Sequence, residues 1–243
     1  VKDENGNWID NFDLEIMDLN YNQISNYSIE SLKPGSGYSD RFKNQKSVEG
    51  AKIPKLIDLF KLANKENYKD VFLNLEVKSN PNLNDVTPEP KEMVTTILKD
   101  IKDYNLEDRI VVTSFDWRIL YELKKQNPNV LRGFLTLQQN LGSTKKNIYE
   151  NSPWINKTFS LEELFLLPNI IKSIEGHVWS AFYRDITKQN IELAHKQGLA
   201  VNVWTVNREQ DIIRMIEYGV DGIITDYPKK VQEICKSKNI SWF

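Results

Sequence analysis

The sequence predicts an α/β chain of the (β/α)8 barrel type, with six βα units in place, and three observations point that way. From Ile53 onward, strand-like and helix-like runs alternate six times at spacings of about 25–35 residues, the rhythm of parallel βαβ units. Polar or reactive residues stand at the predicted C-terminal ends of several strands: Glu76 and Lys78, Ser114 and Phe115, Trp179, Trp204 and Asn207, Asp226. In a barrel such ends converge on one mouth. The alternation also fits a doubly wound sheet, which would gather them at one crevice. The absence of a G-x-G-x-x-G phosphate loop weakens that alternative in its dinucleotide-binding form. Six strands do not close an eight-stranded ring.

The 243 residues are enough for one large domain with a sizeable core or for two small ones. Hydrophobic residues make up 40% and charged residues 27%, and the formal net charge is −2, so no general attraction to nucleic acid or anionic membrane is implied. No apolar run approaches the roughly 20 residues of a membrane span, so stable membrane insertion is not expected. Cys235 is the single cysteine, which excludes an internal disulfide and a cysteine-based zinc cage. It reads as buried filler in a C-terminal helix. The chain opens on Val1-Lys2-Asp3-Glu4, without methionine or signal peptide, and reads as a processed or truncated product whose start carries no compartment signal. Nothing in it sets an oligomeric state.

Taken in order, 1–50 is polar and poorly periodic, with a turn at Asp3-Glu4-Asn5-Gly6-Asn7 before Trp8 and a loop at Ser31-Leu32-Lys33-Pro34-Gly35-Ser36-Gly37-Tyr38. It reads as a small irregular subdomain, and 51–243 as the barrel part. Ile53–Ala63 carries apolar residues at helical spacing behind Pro54. Val71–Lys78 is a strand, and Pro81–Pro90 a loop rich in turn residues. Lys91–Tyr104 is a helix, Arg109–Phe115 a strand, Trp117–Gln126 a helix and Asn129–Leu135 a strand. Gln138–Thr158 reads as loop, and Ser160-Leu161-Glu162-Glu163 as the capped start of a helix Leu161–Leu167. A strand is predicted within Ile170–Trp179, a helix at Thr187–Gln197 closed by Gly198, and a strand at Leu199–Trp204. Arg208–Tyr218 is a helix ending at Gly219, Gly222–Thr225 the last strand and Lys229–Lys236 the closing helix.

The informative stretch is Val71–Lys78. With a period of two, Asn74, Glu76 and Lys78 share one face of the strand. If that face is interior, a carboxylate and an ammonium there each need a partner, a metal or a ligand. A divalent cation on Glu76 and an anionic substrate on Lys78 would meet both needs. The other reading is a solvated Glu–Lys pair on an edge strand.

Five motifs, in this order, resemble the glycerophosphodiester phosphodiesterase family, and more closely its bacterial periplasmic branch. They are Ile53-Pro54 before a helix, Asn74-Leu75-Glu76-Val77-Lys78, Thr113-Ser114-Phe115, Val203-Trp204-Thr205-Val206-Asn207 and Gly219-Val220-Asp221-Gly222-Ile223-Ile224-Thr225-Asp226-Tyr227-Pro228. The resemblance implies a (β/α)8 barrel that hydrolyses small glycerophosphodiesters to glycerol 3-phosphate and an alcohol. It implies a calcium or magnesium ion held by carboxylates, with Glu76 matching one metal ligand and Lys78 the lysine that faces the phosphate. Phe115 and Trp204 match aromatics that wall the glycerol pocket, and Trp179 is a looser match. It also makes 1–50 part of the family's insertion and 51–243 barrel units three to eight, and it suggests a periplasmic or secreted location.

The family's His-Arg-Gly opening, its Glu-x-Asp ligand pair and its second catalytic histidine would all precede Val1. No catalytic residue is therefore assigned in this chain. His195, in a helix tail, reads as a complement to the helix dipole, and His177 as structural. The 243 residues are expected to have little or no activity by themselves. Two other readings stay open: a phospholipase-like phosphodiesterase on the same barrel, and a non-catalytic truncated barrel that binds phosphate esters or a partner. Asp226 reads as loop-fixing, Ser114 lacks a base that would make it a nucleophile, and Lys145-Lys146 reads as solvated.

Overall fold

A computed structural model describes residues 1–10, 15–83, 85–142, 144–156 and 159–241. Asn84 and Thr158, which fall in predicted loops, lie outside the described residues. The chain divides into two compact units, Val1–Val71 with Leu83–Glu89 and Phe72–Asn82 with Pro90–Phe243.

Among the described residues the first unit holds three short α-helices, α1 (Tyr21–Ile24), α2 (Gly37–Arg41) and α3 (Leu56–Ala63), and two 3-10 turns at Ile16–Asp18 and Glu66–Tyr68. The predicted turn forms because Asp3 Oδ1 accepts from the amides of Asn5 and Asn7 at 2.9 and 2.8 Å, bringing Lys2 to an antiparallel bridge with Trp8. Asn20 and Ser36 cap α1 and α2 by accepting from the backbone three residues on. Pro54 precedes the N-cap of α3, Lys55, so the helix starts two residues beyond the proline. Among the described residues of this unit only Phe60 and Ala63 are buried, as its polar sequence dictates.

The second unit is a sheet of six parallel strands: β1 (Leu73–Glu76), β2 (Ile110–Ser114), β3 (Leu131–Thr136), β4 (Val178–Phe182), β5 (Ala200–Trp204) and β6 (Gly222–Ile223). Their spatial order is their sequence order. A doubly wound sheet must reverse its order at a switch point. Here none occurs, and the sheet curls into a half-barrel with β1 and β6 outermost. The helices are α4 (Pro90–Asp103), α5 (Trp117–Gln126), α6 (Leu161–Leu164), α7 (Leu167–Ser173), α8 (Lys188–Lys196), α9 (Glu209–Tyr218) and α10 (Pro228–Ser237).

Register assigns every strand residue to a side, because paired residues of parallel strands point the same way. Leu75, Val112, Phe134, Trp179, Val201 and Val203 face the helices. There the core forms, with Trp117, Leu120 and Leu123 of α5, Ile191 and Ala194 of α8, and Ile212 and Met215 of α9 all buried. Trp117 meets Phe134 edge-on at 5.0 Å, and its Nε1 donates to Leu135 O at 3.3 Å. The concave side carries Asn74, Glu76, Thr113, Gly133, Leu135, Ser180, Phe182, Asn202 and Trp204. Gly133 is required on that side, where a Cβ would come within 2.5 Å of Thr113 Cγ2.

Two predicted elements differ. The stretch from Ile170 does not open a strand; α7 covers Leu167–Ser173 with Pro168 in its first turn, and β4 begins only at Val178. Short apolar runs look alike in a buried helix and a buried strand, and here the proline marks the helix. The single predicted helix Leu161–Leu167 is two, α6 and α7. Cys235 is buried in α10, as its helical setting suggests.

Candidate active site

The chain leaving β1 is pinned to the end of β2. Val77 N donates to Thr113 O at 2.8 Å, and Val77 O accepts from Ser114 Oγ at 2.7 Å. One residue beyond Lys78, Ser79 Oγ donates to Asp116 Oδ2 at 2.7 Å. Asp116 is fully buried and caps α5 by accepting from the amide of Arg118 at 3.1 Å. Its charge is balanced by the Arg118 guanidinium, whose Nη2 lies 2.7 Å from Oδ2. Lys78 therefore projects from a backbone held on both sides.

A second loop, following β3, is fastened to the same strand ends. Asn147 is buried, and its Nδ2 donates to Phe115 O at 3.2 Å and Leu135 O at 2.9 Å while its Oδ1 accepts from Leu137 N at 2.7 Å. Asp185, in the loop after β4, accepts from Gln138 N at 2.8 Å. These ties bring the loops after β1, β2 and β3 around a cleft of about 650 Å³, lined by Glu76, Lys78, Phe115, Lys145, Lys146 and Tyr149 among others. Phe115 meets Trp204 edge-on at 5.3 Å, and Trp204 packs on Phe182 at 5.2 Å while its Nε1 donates to Ser180 O.

Of the predicted site residues, Glu76, Lys78 and Phe115 share this cleft, and Trp204 stands against Phe115. Trp179 does not join them. It is the second residue of β4, far from that strand's C-terminal end, and it points to the helix side, fully buried, with Nε1 donating to Thr136 Oγ1 at 2.9 Å. The late start of β4 moved it from the mouth into the core.

Of the two readings of Glu76 and Lys78, the solvated pair on an edge strand is the one found. Glu76 does lie on the concave side, but β1 is an outer strand and the two side chains pair with each other, 35% and 77% exposed. An exposed pair of this kind is worth about 0–1 kcal/mol, so desolvation places no demand for a ligand there. What sequence reasoning missed is the β3 loop: Lys145, Lys146, Asn147 and Tyr149 line the cleft, although a polar loop offers no periodicity that would reveal it.

Neither histidine is near. His177 precedes β4, its Nδ1 accepting from Arg132 N at 3.2 Å, and burial together with the Arg132 charge lowers its pKa. His195 ends α8 and pairs with Asp221 at 2.9 Å. Both belong to the N-terminal ends of the strands, opposite the cleft. Asp226 fixes a loop through Asn207 Nδ2 at 2.7 Å, and Ser114 Oγ is engaged by the Val77 carbonyl.

A hard divalent cation takes six or more oxygen ligands, several of them carboxylates. Among the described residues, Glu76 is the single carboxylate lining the cleft, and no three of His, Cys, Asp or Glu gather as a metal site. The described residues at the cleft do not by themselves hold calcium or magnesium.

The glycerophosphoryl diester phosphodiesterase family model matches residues 3–230. The chain belongs to that family. Glycerophosphodiester phosphodiesterase of Caldanaerobacter subterraneus subsp. tengcongensis is 29% identical over 209 residues, 85% of this chain and 70% of the relative. A crystal structure from Silicibacter pomeroyi DSS-3, described as a glycerophosphoryl diester phosphodiesterase, is 31% identical with a TM-score of 0.82. It covers all of this chain, which spans 76% of it. A phosphodiesterase of Oleispira antarctica, solved in complex with the product sn-glycerol-3-phosphate, shares the fold at 19% identity and a TM-score of 0.56, covering 76% of this chain and 62% of that one. Membership in a glycerophosphodiester phosphodiesterase family agrees with the half-barrel, with its strand-end cleft and with the five motifs.

Proposed function

We propose that the cleft takes the phosphoglycerol half of a small glycerophosphodiester, with Lys78 facing the phosphate and Phe115 and Trp204 walling the glycerol carbons. The observation that carries this reading is the convergence of Glu76, Lys78 and Phe115 on one cleft at the strand ends, with Trp204 edge-on behind Phe115. The product named for the Oleispira antarctica phosphodiesterase supports the choice of ligand.

Hydrolysis of a phosphodiester requires neutralised non-bridging oxygens, an activated water and a protonated leaving alkoxide. Lys78 supplies part of the first as an ammonium on a backbone flanked by the hydrogen bonds of Val77 and Ser79. Glu76 is assigned as one ligand of a calcium or magnesium site whose other donors would come from beyond the described residues. No histidine of this chain reaches the cleft, so the two proton transfers have no assigned residue. The expected behaviour of these 243 residues is phosphoglycerol binding with little or no turnover.

In this reading 1–50 belongs to the family's insertion and 51–243 to barrel units three to eight, and the protein is exported. Cell fractionation tests the location. For function, titration of sn-glycerol 3-phosphate by calorimetry should show binding that Lys78→Ala weakens about tenfold, the loss of one charge-assisted contact. Equal affinity of the variant and the parent overturns the assignment. Hydrolysis of glycerophosphocholine by this chain above background, with calcium or magnesium, overturns the absence of catalytic residues.

A further inference from the structure

The cleft has more room and more positive charge than one phosphoglycerol needs. Its volume of about 650 Å³ sits in the middle of the range for drug-sized ligands, roughly 300–1,000 Å³. Among the described residues it is lined by one carboxylate, Glu76, already paired with Lys78, and by two further ammonium groups, those of Lys145 and Lys146.

These two lysines are not placed as surface lysines usually are. Leu141 and Thr144 exchange backbone hydrogen bonds of 2.9 and 3.0 Å, and Gly142 has φ +58°. Lys146 N donates to Asn140 Oδ1 at 3.0 Å. The next residue is Asn147, which clasps the carbonyls of Phe115 and Leu135 from a buried position. The pair is thus fixed between the Leu141–Thr144 bonds and a buried staple, and the staple ends on the backbone of the pocket aromatic Phe115. Lys146 Nζ also sits 5.8 Å from the Tyr149 ring, and neither lysine forms an ion pair among the described residues.

We propose that Lys145 and Lys146 form a second anion subsite, so that the preferred substrate is a glycerophosphodiester whose leaving alcohol itself carries a phosphate. This rests on the phosphoglycerol reading of the cleft. The first phosphate is met by Lys78 and the second by the lysine pair. A quaternary ammonium head group in the same place meets like charge and is disfavoured.

The test is calorimetry at fixed ionic strength with three probes: sn-glycerol 3-phosphate, glycerophosphocholine, and glycerophosphoglycerol carrying a terminal phosphate. The parent chain should bind the terminally phosphorylated probe at least about tenfold more tightly than glycerophosphocholine. Lys145→Gln with Lys146→Gln should lower that affinity about tenfold more than it lowers affinity for glycerol 3-phosphate. Both side chains are exposed, so the double variant should fold, which circular dichroism verifies. No preference in the parent chain, or an equal loss for all three probes, overturns the second subsite while the phosphoglycerol reading stands. Failure to bind glycerol 3-phosphate at all removes both.

Discussion

Ser114 Oγ donates to the carbonyl of Val77 at 2.7 Å and accepts from the amide of Asp116 at 3.1 Å. One hydroxyl thus holds the chain leaving β1 against the chain leaving β2, on either side of which stand Lys78 and Phe115. Ser114→Ala leaves both backbone groups without this partner at a buried position. The expected cost is about 1–3 kcal/mol, read as a lower midpoint in urea unfolding. Because the bond fixes the segment that carries Lys78, affinity for glycerol 3-phosphate should fall as well. Unchanged affinity in a measurably destabilised variant would show that the segment is positioned by Ser79 and Asp116 without help from Ser114.

Asn147 is the corresponding fastener for the loop after β3. It makes three hydrogen bonds to the backbone of Phe115, Leu135 and Leu137 from a position only 2% exposed. Asn147→Ala should cost roughly 2–4 kcal/mol, since several backbone groups lose their partner at once. Hydrogen exchange should speed up in 137–152 while β5 and β6 stay protected. Uniform loss of protection across the sheet would mean that the loop and the sheet unfold as one unit.

The fold was legible because the strand and helix periods alternate and because parallel order follows chain order without a reversal. Asn74 and Glu76 were legible as one face because side-chain parity does not depend on what surrounds a strand, whereas Lys78 lies beyond the end of β1. Their exposure was not, since burial is set by whether a neighbouring strand lies alongside. Trp179 was misplaced by the start of β4: Ile170 and Ile171 belong to α7, and only register with Phe134 and Val201 shows which way the indole points. Lys145 and Lys146 were legible as charges only. Their place at the cleft depends on Asn147, whose bonds connect residues more than ten positions apart in the chain.

The two tryptophans give a direct contrast. Trp179 is core, bonded to Thr136, so Trp179→Phe should cost about 1–3 kcal/mol of stability through a lost hydrogen bond and a small void, and should leave glycerol 3-phosphate affinity unchanged. Trp204 stands half-buried against Phe115, so Trp204→Leu should weaken binding several-fold, with a smaller loss of stability. A binding defect in Trp179→Phe comparable to that of Trp204→Leu would reinstate Trp179 as a pocket residue.

His177 links stability to pH at the opposite end of the sheet. Its Nδ1 accepts from the amide of Arg132, a bond that requires the neutral ring. Burial is the largest cause of its lowered pKa, followed by the charges of Arg132 and Lys172, with Glu175 opposing. The unfolded chain binds this proton near the ordinary value of 6.5 and the folded chain only at lower pH. Stability from this site is therefore fully present above about pH 6.5 and is lost as pH falls through the folded value. His177→Asn keeps an acceptor that does not titrate. Unfolding midpoints measured from pH 7.5 to 5.5, above the carboxylate range, should converge between parent and variant as pH falls. A difference that stays constant across that window would mean that the ring is free to protonate in the fold and that the Arg132 amide does not depend on it.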